Sequence, residues 1–172
     1  GEKQYRFHAL LREFLLQEFK RTDPYRFIEI NRLAAHYFNT RQDYDQAINH
    51  STLTGDHQAI ADILYSYGKV LLKMGRLDRL QETLTELPIS IRKQEPMLLI
   101  YEGDIYRYRC FYNKGATCYL EALEILNKKQ NDIRIPLSLE GLARIYLDTI
   151  QPAKASTFVE KAIKYINDNM QL

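Results

Sequence analysis

The sequence predicts an all-α chain, a right-handed α-solenoid of stacked antiparallel helix pairs, and three observations predict it. Period-2 alternation is missing throughout. Gly, Pro and Asp punctuate the chain at helix-length intervals. A spaced set of small and aromatic residues recurs in the second half.

The elements follow in order. From Phe7 to about Lys20, the residues Phe7, Leu10, Leu11, Phe14, Leu15 and Phe19 recur at helical spacing. "TDPYRF" then supplies an N-cap at Asp23 with Pro24 at the first helical position, where its missing N–H costs nothing. The helix it opens places Phe27, Ile30, Leu33, Ala34, Tyr37 and Phe38 on one face. A turn, a short helix stopped by Gly55 and a new start capped at Asp56 come next. Gly75 sits where a left-handed C-cap belongs, and a further helix runs from about Leu77 to Leu87. Pro88 and Pro96 bracket a short, poorly patterned segment. Four helices are expected after it, at about 96–109, 113–128, 132–148 and 152–167.

The second half repeats. "LLIYEGDIYRYRCFYNKGATCYLEAL" sets Gly103, Tyr106, Tyr112, Tyr119 and Ala122 at tetratricopeptide spacing, and "LSLEGLARIYLDTIQPAKASTFVEKAI" sets Leu142, Ala143, Tyr146, Ala155, Val159 and Ala162 at matching positions. Small residues fall where the two helices of a pair meet, and bulky ones fill the space between successive pairs. Two weaker units precede them, one with Leu33, Ala34, Tyr37 and Ala47, the other with Gly68, Gly75 and Leu77. Each pair of such an array buries its face only against neighbours.

Composition excludes several function classes. With 24 basic and 22 acidic residues the net charge is +2, too balanced for the basic stripe of a nucleic-acid reader, so no direct nucleic-acid contact is expected. No apolar run approaches the length of a membrane span, no secretory signal is present, and a cytoplasmic location is expected, with no membrane partner. The chain opens with Gly and not Met, as an excised piece would. Cys110 and Cys118 read as small buried hydrophobes in a reducing compartment.

Nothing assembles into a catalytic or metal-ligating set. His8, His36, His50 and His57 lack an H-E-x-x-H or Cys-x-x-Cys context; His50 and His57 read as exposed or capping, and His36 as a surface histidine. Phosphate-cradling glycine motifs and the nucleophile elbow are missing from the sequence. Glu102 and Asp104, at i and i+2, point to different sides of a helix. The reading is therefore non-catalytic, with no cofactor in this stretch.

A binding surface is the remaining candidate. In a tetratricopeptide array the first helix of each pair lines the concave face. Counting from the Gly103 anchor, that face takes Asp104, Arg107 and Tyr108; from Ala143, it takes Glu140, Arg144 and Asp148; the weaker middle unit adds Tyr65, Lys69 and Lys73. Arg, Lys, acids and Tyr together suit a peptide or a polar effector better than a lipid.

"YRFHALLREFL", followed by "RFIEINRLAAHYFNTRQDYDQAINHSTLTGDHQAIADIL" and "LLKMGRLDRLQETLTELP", resembles the central region of bacterial signal-transduction ATPases with numerous domains, of the maltose-regulon-activator type. The resemblance implies three stretches: 1–20 as the end of a winged-helix region and first arm helix, 21–95 as a helical arm, and 96–172 as two tetratricopeptide-like sensor repeats. It implies a parent that binds ATP or ADP in a domain outside this sequence, and partners that include that nucleotide-binding domain and an inducer or protein of unknown identity. It also implies a role for His8 as the histidine of a Met-His-Asp-type motif near the nucleotide's β-phosphate, with Phe7 in place of the Met and Ala9 in place of the Asp. Its alternative is a free-standing tetratricopeptide scaffold that binds a partner peptide.

Overall fold

The computed structural model describes residues 8–128 and 132–169, and among them the chain is helical with no strand. Ten helices run in order: α1 (Ala9–Thr22), α2 (Pro24–Thr40), α3 (Tyr44–Thr54), α4 (His57–Lys73), α5 (Leu77–Glu86), α6 (Ile89–Gln94), α7 (Pro96–Tyr108), α8 (Tyr112–Leu126), α9 (Ile135–Asp148) and α10 (Pro152–Asn169). The all-α expectation is borne out, with boundaries within three residues of those expected. The segment between Pro88 and Pro96 is not irregular but holds the short helix α6. Phe7 and residues 129–131 and 170–172 lie outside the described residues.

Local chemistry explains where helices start and stop. Asp23 accepts from the Arg26 N–H at 3.0 Å, with Pro24 opening α2 as expected. Asp43 caps α3 and Glu95 caps α7 in the same manner. Four helix hairpins, α2/α3, α4/α5, α7/α8 and α9/α10, share one turn. In each, a single left-handed residue follows the first helix: Gln42 at φ 60°, Gly75 at 69°, Cys110 at 61° and Ile150 at 58°. Its N–H returns three residues, and the next N–H returns five, as in Asp43 to Phe38, Arg76 to Leu71, Phe111 to Tyr106 and Gln151 to Tyr146. This is the Schellman closure, which satisfies the carbonyls a helix end leaves open. Only Gly75 announced it in the sequence.

The chain divides into two compact units, Gly1–Asp56 and His57–Leu172. In the first, α2 pairs with α3 and α1 leans on α2 through Phe19 and Phe27, edge to face at 5.6 Å. Its buried core is Phe27, Asn31, Ala47, Ile48 and Ser51. Asn31 donates to the Phe27 carbonyl, so its Oδ1 is left to accept from His50 Nδ1 at 2.8 Å. His50 also stacks on Phe38, and burial lowers its pKa, so it is a partly buried linker between helices and not the exposed histidine expected. The expected apolar faces are only partly used. Leu10, Leu11, Phe14 and Leu15 of α1, and Ile30, Leu33 and Tyr37 of α2, are exposed. Helical periodicity there is right, but α2 turns a stripe rotated toward Phe27, Asn31, Ala34 and Phe38 inward.

The second unit stacks three hairpins in chain order. α7 packs on α4, α5, α6, α8 and α9, and α9 packs on α8 and α10. Two tyrosines set the spacing. A Cβ on Gly68 of α4 would lie 2.4 Å from the Tyr101 ring of α7, and one on Gly141 of α9 would lie 2.4 Å from the Tyr119 ring of α8. Gly103 faces the same Tyr119 ring at 2.8 Å. Tyr119 is thus a fully buried slab seated on two glycines, and neither site has room for even one methyl group. The crossing of α7 on α8 is tight because Gly115 rests on the Gly103 carbonyl. The corresponding Ala143 and Ala155 are buried on α9 and α10, while Val159, expected as a filler, is 43% exposed.

Candidate functional site

The first helices of the three stacked hairpins, α4, α7 and α9, line a groove of about 230 Å³. Each contributes the residue that follows its small anchor: Lys69 after Gly68, Asp104 after Gly103 and Arg144 after Ala143. Glu140 joins them from one turn earlier on α9. The walls are apolar, built by Leu72, Met97, Ile100 and Leu137, with Tyr101 and Gly141 completing the lining. Four of the nine expected face residues therefore converge here. The repeat register explains why. One side of a helix returns every three to four residues, so equal offsets from the packing anchor emerge on one surface.

The charges are organised. Arg144 donates to Glu140 at 2.6 Å, a pair one turn apart at the rim. Asp104 lies deeper, and its Oδ1 accepts from the Tyr119 hydroxyl at 2.7 Å. Burial pushes the Asp104 carboxyl above the usual aspartate range, while the Tyr119 hydrogen bond and the nearby Arg107 and Arg144 pull it back. Lys69 is exposed and has no ion pair among the described residues. Tyr101 donates to the Tyr65 carbonyl at 3.1 Å across the α4–α7 interface, and burial raises its phenol to about 12. It is a fixed wall and stays protonated at neutral pH.

The other expected residues sit outside this groove. Arg107 reaches from α7 to Asp148 of α9 at 3.0 Å and lies over the Tyr108 ring at 4.4 Å. Burial is the largest influence and works against the Arg107 charge, but the Asp148 bond together with the nearby Tyr119, Tyr108 and Asp148 charges outweighs it and raises the pKa. That trio is a clip between two helices. Tyr65 and Lys73 are exposed on α4, away from the lining. Glu102 and Asp104 do point apart: Glu102 pairs with Arg92 of α6 at 2.9 Å, whereas Asp104 meets Tyr119.

His8 is exposed immediately before α1, where its carbonyl accepts from Arg12 N–H and its side chain makes no capping bond. No group of three His, Cys, Asp or Glu side chains among the described residues is placed to hold a metal ion. No described helix is long and apolar enough to cross a membrane. Cys110 is exposed in its turn, contrary to the buried role expected, and only Cys118 is partly buried.

Sequence reasoning missed Leu72, Met97, Ile100, Tyr101, Leu137 and Gly141. A signal existed for Tyr101 and Tyr119, since each has a glycine partner in a neighbouring hairpin, but pairing tyrosine with glycine requires knowing which helices stack.

No family model matches the chain. It is similar to the HTH-type transcriptional regulator MalT of Vibrio parahaemolyticus, 26% identical over 171 residues, which are 96% of this chain and 19% of that protein. Against MalT of Vibrio cholerae it is 25% identical over 170 residues, 95% of this chain and 18% of that one. Against MalT of Yersinia enterocolitica it is 24% identical over 163 residues, 93% and 18%. The chain spans about a fifth of the length of the curated relatives it matches. Along nearly its whole length this is a helical region similar to part of the MalT-type transcriptional regulators, the relationship that its opening helices and repeats predicted.

Proposed function

We propose that this chain is a non-catalytic, regulatory helical region of a larger bacterial transcription activator, and that its α4–α7–α9 face receives the effector or protein partner. One observation carries the reading: Lys69, Asp104 and Arg144, one from each stacked hairpin, converge on a single groove with apolar walls. A surface assembled from three hairpins is sensitive to how those hairpins stack. A ligand that prefers one stacking shifts the population toward it, which is how occupancy would reach a nucleotide-binding domain elsewhere in the parent. The ATP or ADP of that switch belongs to the parent, with His8 as this chain's contribution near it.

The test is a transcription reporter driven by the full-length parent carrying Lys69→Ala and Arg144→Ala. Both side chains are exposed enough for the fold to tolerate their loss. Induction should fall at unchanged protein level. Full induction by the double variant would remove the groove from the regulatory mechanism.

A further inference from the structure

We propose that the α4–α7–α9 groove binds a free aliphatic α-amino acid, its carboxylate on Lys69, its ammonium on Asp104 and its side chain against Met97, Ile100 and Leu137. The inference rests on the regulatory reading above and names the ligand class of the same site.

The charge pattern selects this chemistry. Four ionic side chains line the groove, two of each sign, so the lining is neutral overall. Arg144 and Glu140 already satisfy one another at 2.6 Å. That leaves Lys69 and Asp104 as the open poles, a cation on α4 and an anion on α7. Asp104 uses Oδ1 to accept from Tyr119, and Oδ2 has no hydrogen bond among the described residues. An anionic ligand would satisfy Lys69 and meet Asp104 unfavourably, and a cation would do the reverse. A zwitterion answers both. Oδ2 needs an N–H donor, which a primary ammonium has and a quaternary one lacks.

Size and wall chemistry narrow the class further. The groove holds about 230 Å³, below the roughly 300–1,000 Å³ of pockets that take drug-sized ligands. Met97, Ile100 and Leu137 offer an apolar wall with a flexible thioether, suited to a branched aliphatic side chain. Tyr101 is held by its bond to Tyr65 and by Gly68 beneath its ring, so that wall is rigid before any ligand arrives. An ammonium docked on Asp104 would favour its charged form and so offset the desolvation that raises its carboxyl.

The experiment measures the thermal midpoint and Kd of the 172-residue chain with three probes: L-leucine, isocaproate, which lacks the ammonium, and isoamylamine, which lacks the carboxylate. Leucine should raise the midpoint, and each truncated probe should bind about tenfold or more weakly, the loss of one charge-assisted hydrogen bond. Lys69→Ala should weaken leucine by a similar factor and leave isoamylamine unchanged. No shift with leucine, isocaproate binding as tightly as leucine, or Lys69→Ala binding leucine like the parent chain would each overturn the proposal. The two readings fail separately. Loss of induction in the reporter without leucine binding sinks the ligand class alone, whereas leucine binding with a fully inducible double variant sinks the regulatory role alone.

Discussion

The Tyr119 hydroxyl meets Asp104 Oδ1 at 2.7 Å from a ring that is wholly buried between Gly103 and Gly141. One side chain thereby joins three helices: it belongs to α8, rests on α7 and α9, and anchors a carboxylate that faces the groove. Packing here positions the site chemistry. The glycines fix the ring, and the ring fixes the hydroxyl.

Tyr119→Phe keeps the ring on its glycines and deletes only the hydrogen bond. The half-buried Asp104 then loses its sole donor among the described residues, which costs about 1–3 kcal/mol for an acceptor left unpaired. Urea denaturation of the two proteins measures this directly. A loss near zero would mean that water replaces the hydroxyl and that the Tyr119–Asp104 bond does not order the groove.

Asp104 also predicts a pH dependence. Burial sets its folded-state pKa above the ordinary 3.8, so between the two values the folded chain carries more protons than the unfolded one. Its contribution to stability is therefore fully present below the unfolded value and is lost as pH rises through the folded value. Tyr119, Arg107 and Arg144 oppose the rise and Glu140 adds to it, so all four set its extent. Asp104→Asn removes the titration but keeps an oxygen for Tyr119. Its stability relative to the parent chain should improve from acid toward neutral pH, by at most about 1.4 kcal/mol per pH unit. A difference constant with pH, followed by urea titrations across that range, would remove Asp104 as the titrating group.

These two residues also show what the sequence could reveal. Lys69, Asp104 and Arg144 were legible because each follows a small anchor at a fixed offset, and a helix repeats its faces faithfully. Tyr119 was legible as a repeat residue but not as Asp104's partner, because that contact depends on the depth at which α8 seats against α7. The C-terminal ends of α7 and α9 were located within a residue, yet Gln42, Cys110 and Ile150 gave no sign of left-handed geometry. Glycine advertises that conformation, and other side chains adopt it only when the hairpin imposes it. The apolar period of α1 correctly marked a helix. Periodicity reports that a face is apolar and says nothing of what covers it, and so it gave no sign that Leu10 and Phe14 stay exposed.

Ile150 is the most strained of those turn residues. It holds φ at 58° with a β-branched side chain that is 88% exposed and so gains little from packing. Left-handed geometry costs about 1–2 kcal/mol in an L-residue and almost nothing in glycine. Ile150→Gly should therefore stabilise the chain by about 1 kcal/mol, after allowing for the extra freedom glycine gives the unfolded state. The reciprocal change, Gly75→Ala at φ 69°, should destabilise by a similar amount, since a Cβ there meets open space and only the backbone is affected. Denaturation midpoints at constant slope decide both. If Ile150→Gly destabilises, the isoleucine side chain is contributing a contact that outweighs the strain.

The two thiols should differ sharply in reactivity. Cys110 stands exposed in the α7–α8 turn, whereas Cys118 is partly buried on α8 and burial, with Glu102 and Glu121 nearby, pushes its thiol up to about 12. The thiolate is the species that reacts, and at a pH near 8 Cys118 supplies almost none of it. Brief alkylation with iodoacetamide, followed by peptide mass spectrometry, should place the label on Cys110 and leave Cys118 unmodified. In urea both should react at comparable rates, because unfolding removes the burial that separates them. Early labelling of Cys118 in the folded chain would mean that α8 opens locally on the timescale of the reaction, which would also free Tyr119, one residue further on, from its seat between the glycines.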